Sequence, residues 1–222
     1  IRRRCKAFHL ITTPCFALIA GSQKSSIALF RMMEKQLIVG LLNKTDGSAK
    51  FVNGDTVVIA SVVGPKTSTN DNMGCRVQVT WCSDGDQRDE TEGERKRVIQ
   101  KIVESLVWTT KYPRTIIRIG VTVLRNTGSL LATAVNAVVM ALIDSGIMMN
   151  GIATAASCTL YDGDKIIVNP NREEESQGVG SILTVWKNTD QNLVSTVSDG
   201  IFSSVQYFKL LEAGRRAANE TL

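Results

Sequence analysis

Residues 126–146, which read NTGSLLATAVNAVVMALIDSG, decide the fold of this chain. The stretch opens on a turn and helix N-cap signal at Asn126–Ser129, runs almost wholly apolar from Leu130 to Ile143, and stops at Gly146. A helix that is apolar on every side is buried on every side. This one is too short and too rich in alanine to span a bilayer comfortably. We therefore predict a central core helix with the rest of the domain packed around it.

The start of this helix has a second interpretation. Its first backbone N–H groups, at Thr127 to Leu130, have no partner within the helix and carry the positive end of the helix dipole. Such a position binds anions readily. The stretch is therefore either a packing element alone or a packing element whose N-terminus once held an anion.

Length and charge bound the function. The 222 residues suffice for one substantial core or two small ones. The net charge of +5 arises in residues 1–36, where seven basic residues accompany one acidic residue. The rest of the chain holds 19 of the 26 basic and 20 of the 21 acidic residues. Because this body is nearly neutral, any nucleic-acid site has to be a local patch.

The cysteines and the histidine exclude several kinds of site. The five cysteines form no C-x-x-C pair and are odd in number, which argues against a disulfide framework or a zinc site and favours a reducing compartment. His9 is the only histidine, so triads that need a histidine in the folded body are excluded. Glu173–Glu175 are the remaining metal candidates, but glutamates clustered in a turn are usually only solvated. The phosphate-binding fingerprints G-x-x-x-x-G-K-[ST] and G-x-G-x-x-G do not occur. We predict no metal and no cofactor.

Residues 1–35 differ in composition from the rest of the chain. They begin with Arg2–Arg4 and carry no acidic residue before position 34. This composition fits three interpretations: a transit peptide, a crude secretory signal, or an upstream extension of a protein that begins near Met32 or Met33. We favour the extension, because the free-thiol pattern argues against secretion, and we expect one domain over residues 36–218.

Hydrophobic period and turn signals predict the order four strands, helix, strand, core helix, four strands, helix. The expected strands cover residues 36–42, 49–53, 56–63, 75–82, 115–124, 152–160, 165–168, 179–187 and 193–197. The other expected helices cover about 89–110 and 199–218, the last with Ile201, Val205, Phe208 and Leu211 on its apolar face. Residues 66–74 and the acidic segment 171–177 read as loops. This pattern is typical of a single α+β domain with mixed, mostly antiparallel sheets and a buried central helix.

Motifs along residues 42–212 resemble the RNase PH family. They are Asp46–Ala49, Gly54–Val58, Gly64–Pro65, Tyr112–Thr115, Gly128–Ala132, Asn136–Ala137 and Ala141–Gly146. They occur in order and with family-like spacing. The resemblance implies an RNase PH-like (ribosomal protein S5 domain 2-like) fold. Within the family the chain looks most like the ring subunits of the eukaryotic RNA exosome.

The resemblance also implies a site. Active members of the family degrade RNA from its 3′ end with phosphate as the nucleophile. They hold the phosphate with two arginines. One belongs to a G-R pair near the start of the long helix, and the other follows G-G-T at the start of the core helix. A catalytic aspartate follows the strand that ends near Val168. At the matching positions this chain has Gly93–Glu94, then Gly128, Ser129 and Leu130, and then Asn169–Ser176 without an aspartate. Losing charge and acid together removes most of the rate acceleration, so we expect a degenerate former phosphate site and no catalytic residue.

The expected function is that of a non-catalytic structural subunit of the exosome core ring. It would assemble the RNA-threading channel with other ring and cap subunits, in the nucleus, nucleolus and cytoplasm and away from membranes. RNA contact would come from local basic residues without base readout. The candidates are Arg88, Arg95, Lys96, Arg97 and Arg114.

Two alternatives stay open. One is a phosphate-dependent exoribonuclease in which Arg95 and Glu175 replace the missing groups, a substitution that a one-residue shift of the first register would allow. The other is a metal-dependent nuclease that uses Glu173–Glu175.

Overall fold

A computed structural model describes residues 35–67, 74–83, 91–162 and 164–221. The strands are β1 (Lys35–Val39), β2 (Gly47–Asn53), β3 (Thr56–Thr67), β4 (Arg76–Ser83), β5 (Thr115–Arg125), β6 (Ala153–Tyr161), β7 (Lys165–Val168), β8 (Gly180–Lys187) and β9 (Leu193–Gly200). The helices are α1 (Thr91–Leu106), α2 (Leu130–Asp144), α3 (Arg172–Gln177) and α4 (Ser204–Asn219), and a 3-10 turn covers Thr109–Lys111.

The strands form two sheets. The first has the order β1-β2-β3-β5-β4 and the second the order β7-β6-β8-β9. Within the described part of the chain every pairing is antiparallel except that of β4 with β5. The α+β class with mixed, mostly antiparallel sheets is therefore confirmed.

The core helix α2 lies between the two sheets. It packs against β2 and β3 on one side and β6 on the other. Its alanines make this close approach possible, and Ala134, Ala137 and Ala141 are fully buried. Gly146 has a φ of 70°, the left-handed conformation expected of a residue just after a helix end. The prediction of a central buried helix is confirmed.

The other long helices cover one face each. The buried face of α1 consists of Ile99, Ile102, Val103 and Leu106. α4 covers the face of the second sheet opposite α2. Gly214 lies so close to β8 that an added Cβ would approach Thr184 Oγ1 to 2.3 Å.

The predicted buried face of α4 is wrong for three of its four residues. Ile201, Val205 and Phe208 are 87%, 63% and 68% exposed, whereas Leu211 is partly buried against the second core cluster. The helix buries Leu210, Gly214, Ala217 and Ala218. Small residues on that face let the helix sit closer to the sheet than a row of large side chains would allow. The helix also begins at Ser204 rather than at 199, because β9 continues to Gly200.

Two predicted loops contain regular structure. Residues 172–177 form the short helix α3, whose first turn is closed by the Asn171 N–H donating to Glu174 Oε2 at 2.7 Å. β3 continues past Gly64 and Pro65 to Thr67 through a register shift against β5. Proline and glycine end most strands, but a bulge tolerates both. Among the described residues, no helix is long and apolar enough to cross a membrane.

Candidate anion site at the start of the core helix

A tight turn precedes α2 and points its backbone inward. Gly128 has a φ of 128°, and Ser129, the N-cap residue, has a φ of 49° and is 4% exposed. An added Cβ on Gly128 would lie 2.4 Å from Pro170 O, so only glycine fits at this position. The sequence signal Asn126–Ser129 therefore marks a turn that is pressed against another segment, and not an exposed cap.

Hydrogen bonds hold the turn from two sides. On one side Thr56 Oγ1 donates to Gly128 O at 2.7 Å and accepts from Thr127 N at 3.1 Å. On the other side Ser129 Oγ donates to Pro170 O at 2.9 Å, and Arg172 N donates to Thr127 O at 2.6 Å. The turn between β5 and α2 is thus fixed to β3 and to the segment that leads into α3.

A carboxylate occupies the helix start. Glu175, on α3, accepts a hydrogen bond from Ser129 N at 2.8 Å through Oε1. Burial raises the pKa of Glu175, while the bond from Ser129 and the charges of Arg95 and Arg172 act in the opposite direction. The position that the sequence marked as a possible anion site therefore holds an anion supplied by the chain itself.

Arg95 reaches the same region from α1. Its Cζ atom lies 5.9 Å from the centroid of the Trp81 ring, which is 5% exposed. A guanidinium over an aromatic face is held by the ring quadrupole. Arg95 also acts electrostatically on Glu175, which bonds the start of α2. The structure therefore brings Arg95 and Glu175 to the same region, as the exoribonuclease alternative requires.

The remaining candidates lie elsewhere. Glu94 and Arg97 are exposed, and Lys96 Nζ lies 3.5 Å from Glu92 Oε2 in an i,i+4 pair on α1. Arg114 is exposed with a φ of 56° at the turn into β5. Arg88 lies outside the described residues.

Leu130 and the glutamate run complete the description. Leu130 is partly buried and packs against the main core, so this position contributes contact area and no charge. Glu174 uses Oε2 to cap α3, and its carbonyl accepts a hydrogen bond from the Tyr161 hydroxyl. Within the described residues, no three His, Cys, Asp or Glu side chains are grouped as a metal ion would need.

Sequence reasoning missed several residues of this site. Thr56 orders the turn through its hydroxyl, the charge of Arg172 acts to lower the pKa of Glu175, and Trp81 contacts Arg95. Thr56 lies within the motif Gly54–Val58, but nothing in that motif indicated that its hydroxyl orders the turn before α2. Arg172 had a local signal, because it directly precedes the glutamate run in sequence.

Comparison with known proteins identifies this arrangement as part of a known fold. Models of domains 1 and 2 of the 3′ exoribonuclease family match residues 30–148 and 151–217. The exosome complex exonuclease RRP46 homolog of Arabidopsis thaliana is 29% identical over 197 residues, which cover 80% of this chain and 82% of that protein. The rice homolog is 27% identical over 197 residues, with 80% and 83% covered.

Solved structures agree with these matches. The crystal structure of rice Rrp46 superposes with a TM-score of 0.82 at 28% identity and covers 86% of this chain and 91% of that chain. An Archaeoglobus fulgidus exosome chain has a TM-score of 0.72 at 22% identity, with 85% and 87% covered, and shows the shared fold alone.

Proposed function

The chain belongs to the 3′ exoribonuclease (RNase PH) family, and on that premise we propose that it is a structural ring subunit of the RNA exosome core without phosphorolytic activity of its own. It supports 3′-to-5′ RNA processing and turnover, including rRNA maturation, by forming part of the channel through which RNA passes. Its partners are other RNase PH-like ring subunits, cap subunits and the RNA. It works in the nucleus and nucleolus and also in the cytoplasm.

Two relatives support the assembly role. The Arabidopsis and rice proteins are both named exosome complex exonuclease RRP46 homolog, and the matches span more than four fifths of each. The likeness therefore extends over most of each relative, and the family models match both domains.

Exposed apolar side chains support contact with neighbouring subunits. Leu37, Ile38 and Val39 lie on the edge strand β1 and are 42–47% exposed. Consecutive residues of a strand point to opposite faces, so both faces of this edge are apolar. Edge strands of soluble proteins are usually protected from pairing with other chains, and a neighbouring subunit would supply that protection here.

The observation that carries the loss of activity is the bond from Ser129 N to Glu175 Oε1. A phosphate at the start of α2 would have to displace this carboxylate or lie beside its negative charge. Leu130 offers no cation in return. Without a held nucleophile, most of the catalytic acceleration is lost.

One observation favours the phosphate-dependent exoribonuclease as a second candidate. Burial raises the pKa of Glu175, and the charge of Arg95 acts against that rise, so a cation lies within electrostatic range of a partly buried carboxyl group at the helix start. In that mechanism Arg95 would hold the phosphate and Glu175 would act as the acid. It predicts release of nucleoside diphosphates that depends on phosphate. A metal-dependent nuclease receives no such support.

Assembly is tested by co-expressing the tagged full chain with the other ring subunits and measuring what co-purifies. We expect stoichiometric ring subunits, and we expect Ile38→Lys to reduce their recovery. The matched control is Glu212→Lys on α4, which also adds a lysine at an exposed position. Recovery of the tagged chain alone would contradict the ring role.

A further inference from the structure

Within the described part of the chain, helices cover only one face of the first sheet. α1 and α2 cover the face that carries Val58, Ile119 and the other buried residues of β3 and β5. We call the opposite face of this sheet the outer face. Because side chains alternate along a strand, the outer face carries the even-numbered residues of β4 and β5. It also carries the odd-numbered residues of β3 up to Val63, after which the register shifts. On this face Arg76, Gln78 and Arg118 are exposed.

Cations gather at one end of the outer face. The register places Lys66 of β3 opposite Ile116 of β5, and Ile116 opposite Arg76 of β4. Arg118 lies two residues further along β5, between Val63 and Gln78. Neighbours across and diagonal to one another on a sheet lie about 5–8 Å apart, so Lys66, Arg76 and Arg118 form one cluster.

Arg114 extends this cluster at the end of the sheet. It directly precedes Thr115, which pairs with Thr67, and it is exposed in a left-handed conformation with a φ of 56°. We call Lys66, Arg76, Arg114 and Arg118 the cationic corner. All four side chains are exposed.

No acidic side chain balances the cationic corner within the described residues. The outer-face positions of β3, β4 and β5 contain no Asp or Glu, and residues 105–143 contain none either. Asp46 and Asp55 lie at strand ends and have other partners: Asp46 accepts from Gly64 N at 2.9 Å, and Asp55 Oδ1 lies 3.9 Å from Arg125 Nη1. Asp71, which lies between Lys66 and Arg76 in sequence, is outside the described residues. The described residues give the cationic corner no ion pair.

We propose that the cationic corner binds the phosphate backbone of single-stranded RNA, a proposal that rests on the proposed role of the chain in an RNA-threading complex. Clustered arginine and lysine side chains that lack internal partners are complementary to a polyanion. The exposed amide of Gln78 and hydroxyl of Thr80 add donors for phosphate oxygens. The outer-face positions of these three strands contain no aromatic residue, so the contact lacks base stacking and is indifferent to sequence.

The salt dependence of binding measures this contact directly. For single strands, the slope of log affinity against log salt is about −0.7 for each neutralised phosphate. Four cations give a slope of about −3, and removal of two changes it to about −1.4. The same relation makes each contact worth about fivefold in affinity at 0.1 M salt, so two are worth roughly 25-fold.

The experiment is a fluorescence anisotropy titration of the full chain with a labelled uridine oligonucleotide at several salt concentrations. The test variant is Arg76→Gln with Arg118→Gln. The control is Arg125→Gln, which removes a cation from the other end of the same strand β5. Circular dichroism establishes that each variant is folded.

We expect the double variant to bind about 25-fold more weakly at 0.1 M salt with a shallower slope, and Arg125→Gln to change the affinity less than threefold. Unchanged affinity and slope in the double variant would overturn the proposal. So would a double variant that keeps RNA binding but no longer co-purifies with ring subunits, since the corner would then be a protein interface. If wild-type chain fails to co-purify with ring subunits while the anisotropy results hold, the ring role fails and the RNA contact stands.

Discussion

Replacing Asn136 tests how the core helix is joined to the second sheet. Asn136 is 5% exposed, and its amide makes two bonds with one residue of β6: Nδ2 donates to Ala155 O at 3.0 Å, and Oδ1 accepts from Ala155 N at 2.8 Å. These bonds matter because β7 pairs only with residues 158–161 of β6. At Ala155, which β7 does not reach, the side chain of Asn136 makes the two backbone hydrogen bonds that a neighbouring strand would otherwise make.

The structure sets the size of the effect. Asn136→Ala leaves one buried N–H and one buried C=O without partners, and each such loss costs about 1–3 kcal/mol. We expect the free energy of unfolding to fall by about 2–5 kcal/mol. Asn136→Asp keeps the acceptor but turns an oxygen toward Ala155 O. Its stability relative to the wild type should improve as the pH falls, because a protonated carboxyl group donates again.

Urea unfolding followed by circular dichroism measures these differences. Thr133→Val is the control on the same helix. Its hydroxyl donates to Ser129 O at 2.9 Å, but that carbonyl also accepts from Thr133 N at 3.1 Å and stays satisfied, so the cost should be below about 1 kcal/mol. If Asn136→Ala proved no less stable than Thr133→Val, the hydrogen bonds of Asn136 to β6 would not contribute to stability as described.

Three further predictions concern the anion site and the thiols. Burial raises the pKa of Glu175 above its usual 4.5, so its contribution to stability is present below pH 4.5 and is lost as the pH rises through the folded pKa. Urea midpoints of the wild type should fall relative to Glu175→Gln across that interval, and parallel curves would contradict this. Gly128→Ala should lower the free energy of unfolding by at least about 2 kcal/mol through backbone strain and steric overlap. Gly93→Ala, in open space on α1, should raise it by about 0.5–1 kcal/mol. Equal effects in unfolding experiments would be inconsistent with the turn geometry. Burial raises the pKa of Cys158 to about 12, so a thiol reagent followed by peptide mass mapping should label the exposed Cys82 before Cys158, and the reverse order would show the burial of Cys158 to be wrong.

Local patterns predicted most of the fold. The helix α2 was predictable because it is apolar on every side, and most strands because β-branched residues alternate between turn signals. The short helix α3 was not, because its glutamates resemble a solvated loop and its capping bond involves only Asn171 and Glu174. The buried face of α4 was predicted wrongly because large apolar residues outweigh small ones in a hydrophobic pattern, although Gly214 and Ala217 permit the closest packing.

The site was predicted only in parts. Gly128, Ser129, Leu130 and Glu175 were each singled out from sequence, but the bond between Ser129 and Glu175 joins residues 46 positions apart. Such a contact depends on how β7 and α3 return to the start of α2, which no local period encodes. In the cationic corner, Arg114 was singled out from sequence but Lys66, Arg76 and Arg118 were not, since those three lie on different strands and meet only through the sheet register.

An RNA-decay assay on the purified full chain tests the central claim most directly. The chain is incubated with a labelled single-stranded RNA with and without phosphate, and with and without magnesium, and nucleoside diphosphates and monophosphates are separated and quantified. The account predicts no decay under any condition, because Glu175 occupies the anion position and Leu130 brings no charge to it. Phosphate-dependent release of nucleoside diphosphates, abolished in Arg95→Gln, would contradict it and establish the chain as an active exoribonuclease.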